Sequence, residues 1–441
     1  MKWNRLVLSV ALAGMTAAPV WADEAETAAL KEEIQALKER LSQLEAKVAS
    51  SAKAGDTMPP TAGEPGEATL TLPSGLQGVH LSGFVDTTYT YNFDVPQTNT
   101  NALRVFDTRA NSFMINNAQL TLEKPVSMDS PIGFKTEMMF GTDSEVVGSV
   151  TSGLGANAHT HGGTAGGDSV TGQTAISDEF ELQEAYVDYL APIGNGLDLK
   201  AGKFATLHGA EVIESKDNWN ISRSFLFGYA IPFTHTGFRA SYPWSDRITT
   251  IIGVDNGWDV VDDNNQAKTV EMCLSTVPID KTSLGVTYMF GADQSGNNNN
   301  GRNILDIVAG WQPIEPLQLK LNYDYGWEDD AAGFTNNAVW QGLAGYARYA
   351  VNDRLALSTR GEFFNDTNGV RTGISSGING IVSSGTRLAE WTLTGEYKIN
   401  SHLLSRLEFR HDWSSEKVFR NRDVGQRSYQ DTVALEFVAP F

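Results

Sequence analysis

From residue 79 to the end of the chain, apolar and polar residues alternate along stretches of about 9 to 13 residues. Successive side chains of a β-strand point to opposite faces, so this pattern predicts strands with one apolar and one polar face. In the segment 403–413, the apolar face holds Leu403, Leu407, Phe409 and Trp413, and the polar face holds Arg406, Glu408, Arg410 and Asp412. Strands of soluble sandwiches usually have about 5 to 6 residues, whereas tilted strands that cross a bilayer need about 9 to 11. The stretches therefore predict membrane-spanning strands.

The connections between these stretches alternate in length. The short ones include residues 191–196, 243–246, 277–281, 313–316, 352–353 and 400–401, and the long ones include 142–177, 205–235, 256–267, 291–302, 365–386 and 415–428. Short turns on one side and long loops on the other are typical of outer-membrane barrels, whose short turns face the periplasm. We count about sixteen antiparallel strands, from one near Val79–Asn92 to one near Tyr429–Phe441. We expect an all-β transmembrane barrel at residues 76–441, with both of its ends on the periplasmic side.

The last predicted strand ends the chain with an aromatic residue. Its apolar face is Val433, Leu435, Phe437, Ala439 and Phe441. Outer-membrane barrels characteristically end in such a residue, which the barrel-insertion machinery recognises, and we expect Phe441 to be this insertion signal. Pro440 and the small Ala439 depart from the commonest form of the signal.

The first 75 residues have a different pattern. Residues 1–22 carry Lys2 and Arg5, an apolar core from Leu6 to Met15 and a cleavage site at Val20-Trp21-Ala22, which together predict a secretory signal peptide. Residues 23–48 predict a short α-helical coiled coil, and residues 49–75, rich in Pro, Gly and Ala, predict a flexible linker. The core positions of the coil follow the spacing 4-3-4-3-4 at Leu30, Ile34, Leu37, Leu41, Leu44 and Val48. The alternative for this segment is an isolated amphipathic helix.

The composition of the chain excludes several classes of function. The chain has a formal net charge of −20 and one cysteine, Cys273. The negative charge argues against a nucleic-acid partner, and a lone cysteine excludes a disulfide framework or a cysteine zinc site. His159 and His161 provide at most half of a metal site. No nucleophile elbow or zinc-protease motif is present, so we expect no catalytic residues, no metal and no cofactor.

Several stretches resemble the OmpL-like β-barrel porin family. They are residues 209–215 (GAEVIES), 218–220 (NWN), 222–224 (SRS), 227–237 (FGYAIPFTHTG) and 253–259 (GVDNGWD). The resemblance covers the barrel from about residue 76 to the end, and it implies an outer-membrane porin that assembles as a trimer. A coil and linker before a barrel is similar to porins with periplasmic coiled coils, including phosphate-selective ones. That type implies lysines at the constriction, where this chain has only Lys203 and Lys216.

The segment 205–235 is the main candidate for a constriction. It follows the fifth predicted strand and combines acidic residues with apolar ones such as Phe225 and Phe227. A solvated extracellular loop and a loop folded into the pore are both possible, and the apolar content favours the second. We expect the constriction to hold Glu211, Glu214, Asp217 and Arg223.

Charged residues on the polar faces of the late strands are candidates for the pore lining. They are Arg348, Arg360, Lys398, Arg406, Arg410 and Glu408. Basic residues opposite an acidic loop would create a transverse field across the passage. The other interpretation is cross-strand ion pairing that only stiffens the wall. The pattern alone does not decide between the two.

The sequence as a whole predicts an outer-membrane porin for passive diffusion of small polar or charged solutes, with a periplasmic N-terminus. About sixteen strands leave an aqueous lumen, whereas eight would fill with side chains. The expected partners are outer-membrane lipid, two further copies of the chain, the insertion machinery and, through the coil, the cell wall. The alternatives are a structural tether with a plugged barrel and, less favoured, an outer-membrane enzyme.

Overall fold

The computed structural model describes residues 78–148, 180–331, 337–374, 376–378, 381–422 and 425–441. The predicted signal peptide, coiled coil and linker lie outside these residues, as do His159 and His161. No helix in the described part of the chain is long and apolar enough to cross a membrane.

The described residues form a closed antiparallel β-barrel, in which every strand pairs with its neighbours in chain order. Its sixteen strands are β1 (His80–Asn92), β2 (Ser112–Lys124), β3 (Ile132–Phe140), β4 (Phe180–Ala191), β5 (Leu197–Ala205), β6 (Thr234–Ser245), β7 (Ile248–Asp255), β8 (Thr269–Thr276), β9 (Thr282–Ala292), β10 (Gly301–Ile314), β11 (Leu317–Glu328), β12 (Ala338–Ala350), β13 (Leu355–Asp366), β16 (Thr386–Asn400), β17 (Leu403–Ser414) and β20 (Tyr429–Pro440). Two hairpins complete the set, β14 (Ser376–Ile378) with β15 (Ile381–Ser384) and β18 (Phe419–Arg420) with β19 (Gln426–Arg427). The prediction of a sixteen-stranded barrel is confirmed.

The connections alternate in length as the sequence pattern predicted. One end of the barrel, which we call the turn end, has the connections 125–131, 192–196, 246–247, 277–281, 315–316, 351–354 and 401–402. The other end, the loop end, has 93–111, 141–179, 206–233, 256–268, 293–300, 329–337, 367–385 and 415–428. Because the strand number is even, β1 begins and β20 ends at the turn end.

Each strand presents one apolar and one polar face, and the barrel separates the two. In β17, Leu407 is 59% exposed and Trp413 is 41% exposed, since they point outward. Arg406, Arg410 and Asp412 alternate with them and are at most 1% exposed, since they point into the lumen. This arrangement suits a bilayer, where lipid contacts the apolar face and every backbone N–H and C=O finds its partner within the closed sheet.

The chain terminus contributes to the closure of the barrel. Phe441 and Gly83 exchange two backbone hydrogen bonds, of 3.0 and 3.2 Å, next to the last residue pairs of β1 and β20. A Cβ atom at Gly83 would lie 2.5 Å from the ring of Phe441 and 2.2 Å from the carbonyl oxygen of Gln119. Only glycine therefore fits under this ring. The role of Phe441 as an insertion signal stays a prediction.

Loops fold back into the lumen and fill much of it at the loop end. The short helix α1 (Thr142–Val147), a 3₁₀ turn (Ser215–Asp217) and a π-helical turn (Leu226–Ala230) lie in two of these loops. Their apolar side chains join inward residues of the wall in one buried cluster, which includes Leu103, Phe106, Val147, Phe225, Phe227, Ile231, Phe233, Trp258, Trp340, Phe364 and Phe419. The lumen therefore has a hydrophobic core of its own at this end.

The closed sheet predicts resistance to detergent. Because no strand edge is free, unfolding must break a complete ring of backbone hydrogen bonds at once. We expect an unboiled sample of the full chain in dodecyl sulfate to migrate faster on a gel than a boiled one. Equal mobility of the two samples, or extraction of the protein into buffer without detergent, would contradict the closed membrane barrel.

Candidate functional site

The connection between β5 and β6, residues 206–233, lies inside the barrel, and we call it the lumen loop. Every residue from Ser222 to Phe233 is buried. The rings of Phe227 and Phe233 lie 5.2 Å apart, and each packs against Phe106 from the 93–111 loop. Each fully buried Phe or Ile contributes about 1.5–3 kcal/mol relative to exposure. Apolar burial alone therefore favours the inward position, and the indole N–H of Trp340 adds a hydrogen bond of 3.0 Å to the carbonyl oxygen of Ala230.

Two carboxylates of the inner wall accept hydrogen bonds from the backbone of the lumen loop. Glu408 on β17 accepts from the N–H groups of Ile221 and Ser222, at 2.6 and 3.0 Å. Glu362 on β13 accepts from those of Phe225 and Leu226, at 2.5 and 3.1 Å. Each carboxylate thus binds two successive amides of a loop that has no strand partner, and so satisfies donors that burial would otherwise leave unpaired.

Three arginines of the same wall donate to the loop carbonyl oxygens. Arg360 on β13 donates to Ser222 at 2.7 Å. On β17, Arg406 donates to Ser215 at 2.9 Å and Arg410 to Arg223 at 2.5 Å. All three arginine side chains are at most 1% exposed. The wall therefore holds the loop through its main chain, by charge-assisted hydrogen bonds of both polarities.

The same arginines form ion pairs with inward carboxylates, Arg360 and Arg406 across neighbouring strands and Arg410 within β17. Arg360 contacts Glu390 at 2.6 Å, and Arg406 contacts Glu396 and Glu436, both at 3.0 Å. Arg410 contacts Asp412 at 2.7 Å. Since a buried charge without a partner is costly, removing one member of such a pair destabilises a protein by about 3–5 kcal/mol.

Glu211 is the acidic residue of the lumen loop that joins this network. Its carboxylate contacts Arg360 at 2.6 Å and accepts hydrogen bonds from the N–H and the hydroxyl of Ser224, at 2.8 and 2.5 Å. Burial alone would raise the pKa of Glu211, but Arg360 and the two hydrogen bonds outweigh it and hold the pKa below its usual value. Glu211 is therefore a charged anchor buried between loop and wall.

Arg223 shapes the loop from within. Its guanidinium donates to the carbonyl oxygens of Val212, Ile213 and Ile221, at 3.2, 2.6 and 2.9 Å. These hydrogen bonds join two separate segments of the loop. Arg223 is 5% exposed, and its guanidinium also lies over the ring of Phe106 from the 93–111 loop, 4.9 Å from the centroid.

Glu214 and Asp217 lie on the other side of the loop, which faces the open part of the lumen. The side chain of Asp217 is 54% exposed and pairs with Lys216 at 2.5 Å. Glu214 is partly exposed and accepts a hydrogen bond of 2.5 Å from Gln183 on β4. We call this side, with Val212, Glu214, Lys216, Asp217 and Trp219, the open face of the loop. Its charges are two carboxylates and one ammonium group.

The wall near Trp219 and the turn end carries further basic groups. Lys320 on β11 lies over the ring of Trp219, 4.4 Å from its centroid. A cavity of about 480 Å³ opens at the turn end, lined by Arg348, Lys398, Glu396, Arg354 and Asp353, among others. Arg348 pairs with Glu396 at 2.8 Å, whereas the side chains of Lys398 and Arg354 are exposed. In the described lumen, solvent-accessible charged side chains therefore lie on the open face of the loop and around this cavity.

The predicted site residues therefore fall into two groups. Glu214, Asp217, Arg348 and Lys398 face open space, whereas Glu211, Arg223, Arg360, Arg406, Arg410 and Glu408 are buried where the loop meets the wall. The cross-strand ion pairs of the second interpretation are present, and they coexist with contacts from wall to loop. Sequence analysis missed Glu390 and Glu436 as partners, although both lie at inward positions of alternating strands. Among the described residues, no group of His, Cys, Asp or Glu is arranged to hold a metal ion.

The family comparison agrees with this architecture. A family model described as "Putative beta-barrel porin-2, OmpL-like" matches residues 78–441. The chain belongs to this family. It is therefore a porin of the outer membrane. The matched residues include the whole barrel and the lumen loop, where the sequence showed its resemblance. No curated protein matches the sequence of the porin.

Solved porins share the fold. The anion-selective porin from Comamonas acidovorans has 10% identity and a TM-score of 0.53, and the match covers 82% of this chain and 99% of that one. The channel DcaP of Acinetobacter baumannii has 10% identity, a TM-score of 0.51 and coverages of 82% and 97%. OprB of Pseudomonas putida has 11% identity, a TM-score of 0.50 and coverages of 82% and 94%. At these identities, the similarity concerns the fold alone.

The lowered pKa of Glu211 predicts how the anchoring of the loop depends on pH. A carboxyl group whose pKa is lower in the folded state stabilises that state above its ordinary pKa of about 4.3, and this contribution is lost as the pH falls through the lowered value. We expect Glu211→Gln to increase current fluctuations of single channels at pH 7, because Arg360 loses a charged partner. Wild type and variant should converge as the pH falls below about 4.

Glu214→Gln provides the control for this measurement. It removes the same chemical group three positions away on the open face, where no described arginine binds it. Its current fluctuations at pH 7 should match those of the wild type. Equal fluctuations of the Glu211 and Glu214 variants over the whole pH range would contradict the anchoring role of Glu211.

Proposed function

We propose that this porin is a passive diffusion channel for small polar and charged solutes and that the lumen loop sets the width of its passage. The observation that carries the proposal is the attachment of the loop backbone to Glu362, Glu408, Arg360, Arg406 and Arg410. A loop held by its main chain at so many points keeps one position, and a fixed position is what a constriction of constant size requires.

The path for solutes follows from what the loop leaves uncovered. It passes the open face, where Glu214 and Asp217 are solvated, then Trp219 with Lys320, and leaves through the cavity at the turn end. Acidic groups on the loop and basic groups on Arg348 and Lys398 create a transverse field, which orients dipolar and zwitterionic solutes. Arg360, Arg406 and Arg410 lie beneath the loop and are paired with carboxylates, so they contribute little to this field.

The further assignments complete the proposal. Long loops face the outside and short turns the periplasm, which puts the N-terminus of the chain on the periplasmic side with the expected coiled coil. We retain a homotrimer, since a porin barrel offers a large lipid-protected interface compared with a coil of about three heptads. The porin family supports transport and not catalysis, and it does not favour the alternative of a structural tether with a plugged barrel.

Removing the carboxylates that hold the loop should enlarge the channel. In the double variant Glu362→Gln, Glu408→Gln, four loop amides lose their charged acceptors, and hydrogen bonds to charged groups contribute about 1.5–3 kcal/mol each. Planar-bilayer recordings should then show additional open levels, with a conductance above that of the wild type. A control is Glu123→Gln, which removes one carboxylate from β2 outside the loop contacts. Unchanged conductance levels in the double variant would refute the loop as the constriction.

The open face of the loop should control ion selectivity. Glu214→Gln with Asp217→Asn removes two solvated charges and keeps side-chain size. At contact distances in water, one charge contributes about 1 kcal/mol, a factor of about five, so loss of both charges should lower the permeability ratio of cations to anions at least about fivefold in 0.1 M salt. In 1 M salt the Debye length is about 3 Å, and the difference should nearly vanish. The reversal potential in a salt gradient measures the ratio.

The control for selectivity is Asp246→Asn with Asp280→Asn. These residues are exposed in two short turns at the turn end, and they carry the same number of charges away from the loop. Their reversal potential should equal that of the wild type. A shift of equal size in this control would attribute selectivity to the overall charge and not to the open face.

A further inference from the structure

Exposed cations are concentrated on one part of the loop-end rim. Arg387 points outward at the start of β16, between the inward residues Thr386 and Leu388. Arg420 and Arg422 are exposed in the 415–428 loop. Arg427 lies over the outward ring of Tyr429, with 5.6 Å between guanidinium and centroid, and pairs with Asp94 at 2.5 Å. We call these four arginines the rim patch.

Backbone hydrogen bonds bring the members of the rim patch together. The N–H of Ser415 donates to the carbonyl oxygen of Arg387 at 2.9 Å, that of Ser414 to Ser428 at 2.7 Å, and that of Arg422 to Asp94 at 3.0 Å. The segments of the patch are therefore immediate neighbours. Among the described residues, no acidic side chain pairs with Arg387, Arg420 or Arg422. In a chain of net charge −20, this concentration of exposed cations is available to contact an anion from outside the chain.

An apolar groove lies on the outer wall below the rim patch. It has a volume of about 250 Å³ and runs between β20, β1 and β2, lined by Thr87, Tyr89, Phe113, Ile115, Leu435 and Phe437. Phe113 is 86% exposed. The distance along the chain from Tyr89 in the groove to Asp94, the partner of Arg427, is about 16 Å at about 3.3 Å per residue. Aromatic residues between the two, such as Tyr91 and Phe93, mark the level of a membrane interface.

We propose that the rim patch and this groove together bind a phosphorylated lipid of the outer leaflet. The phosphate groups contact Arg387, Arg420, Arg422 and Arg427, and an acyl chain lies in the groove beside Phe113 and Phe437. The vertical order of the site is that of a lipid, with cations at headgroup level, an aromatic level below them and an apolar groove at acyl-chain level. The proposal rests on the loop end facing outward, as given under the proposed function.

The groove distinguishes a lipid from a free phosphate ion. A soluble anion would use the arginines alone and would gain nothing from an apolar surface that faces the bilayer. Charge complementarity selects an anionic headgroup, since basic residues at a membrane surface contribute about 1 kcal/mol each toward anionic lipid. The rim patch and the groove thus predict two separable contributions to binding, one from the headgroup and one from the acyl chain.

Binding of bisphosphorylated lipid A to the detergent-solubilised full chain tests the proposal, measured by native mass spectrometry. The triple variant Arg387→Gln, Arg420→Gln, Arg422→Gln should bind at least about tenfold more weakly. The control Arg247→Gln, Lys281→Gln, Arg354→Gln removes three exposed charges from the turn end and should bind like the wild type. Equal affinity of the two triple variants would overturn the rim patch as the headgroup site.

Two further measurements test the groove and the source of the phosphate. Ile115→Trp, which fills the groove, should weaken binding of lipid A and leave the arginines in place. Inorganic phosphate at millimolar concentration should not displace lipid A, and complete displacement would overturn the lipid assignment in favour of a free-anion site. Single-channel conductance of the rim-patch and groove variants should equal that of the wild type, because the site lies outside the lumen. Unchanged conductance levels in Glu362→Gln, Glu408→Gln, together with weakened lipid binding by the rim-patch variant, would count against the proposed function alone.

Discussion

The structure of the lumen depends on one constraint, which is that buried charges and buried backbone groups must satisfy each other. The lumen loop has no strand beside it, so its N–H and C=O groups need other partners. The inward faces of β13 and β17 carry carboxylates and guanidinium groups, which are costly to bury unpaired. Glu362 and Glu408 bind loop amides while Arg360, Arg406 and Arg410 bind loop carbonyl oxygens. The charged groups of the wall and the backbone groups of the loop therefore stabilise each other in the buried position.

Attachment through the main chain separates the position of the loop from its chemistry. The atoms that hold the loop are mostly backbone atoms. Among its charged side chains, Glu211 pairs with Arg360 of the wall and Glu214 accepts one hydrogen bond from Gln183. Side chains of the open face, such as Glu214, Asp217 and Trp219, can therefore differ without releasing the loop. Under the proposed function, attachment to the wall sets the width of the passage, and a few solvated residues set its charge.

The sequence predicted the barrel well because local patterns encode it. The period of two identified the inward and outward faces, and the alternation of short and long connections identified sixteen strands. It did not predict which inward charges are covered. Arg348 and Arg360 are inward arginines on neighbouring strands, offset by two residues in register, yet one borders the cavity at the turn end and the other lies beneath the loop. That difference depends on contacts such as Ile221 with Glu408, which are 187 positions apart in the chain. Within the loop, Glu211 and Glu214 differ for the same reason.

Arginines of the inner wall and of the outer rim differ in where their counter-charges come from. Inside, the lumen is enclosed by protein, so each arginine of the wall must find its counter-charges within the chain, and Arg360, Arg406 and Arg410 each contact at least one carboxylate. At the rim, the surroundings can supply the counter-charge, and Arg387, Arg420 and Arg422 remain exposed. An exposed cation at the edge of a bilayer costs little while it stays hydrated and gains when an anionic headgroup approaches. Because the rim patch lies above an apolar groove and next to aromatic residues, the headgroup and the chain of one lipid can be bound together. Arginine thus forms ion pairs within the chain inside the barrel and stays available to an anionic lipid at the rim.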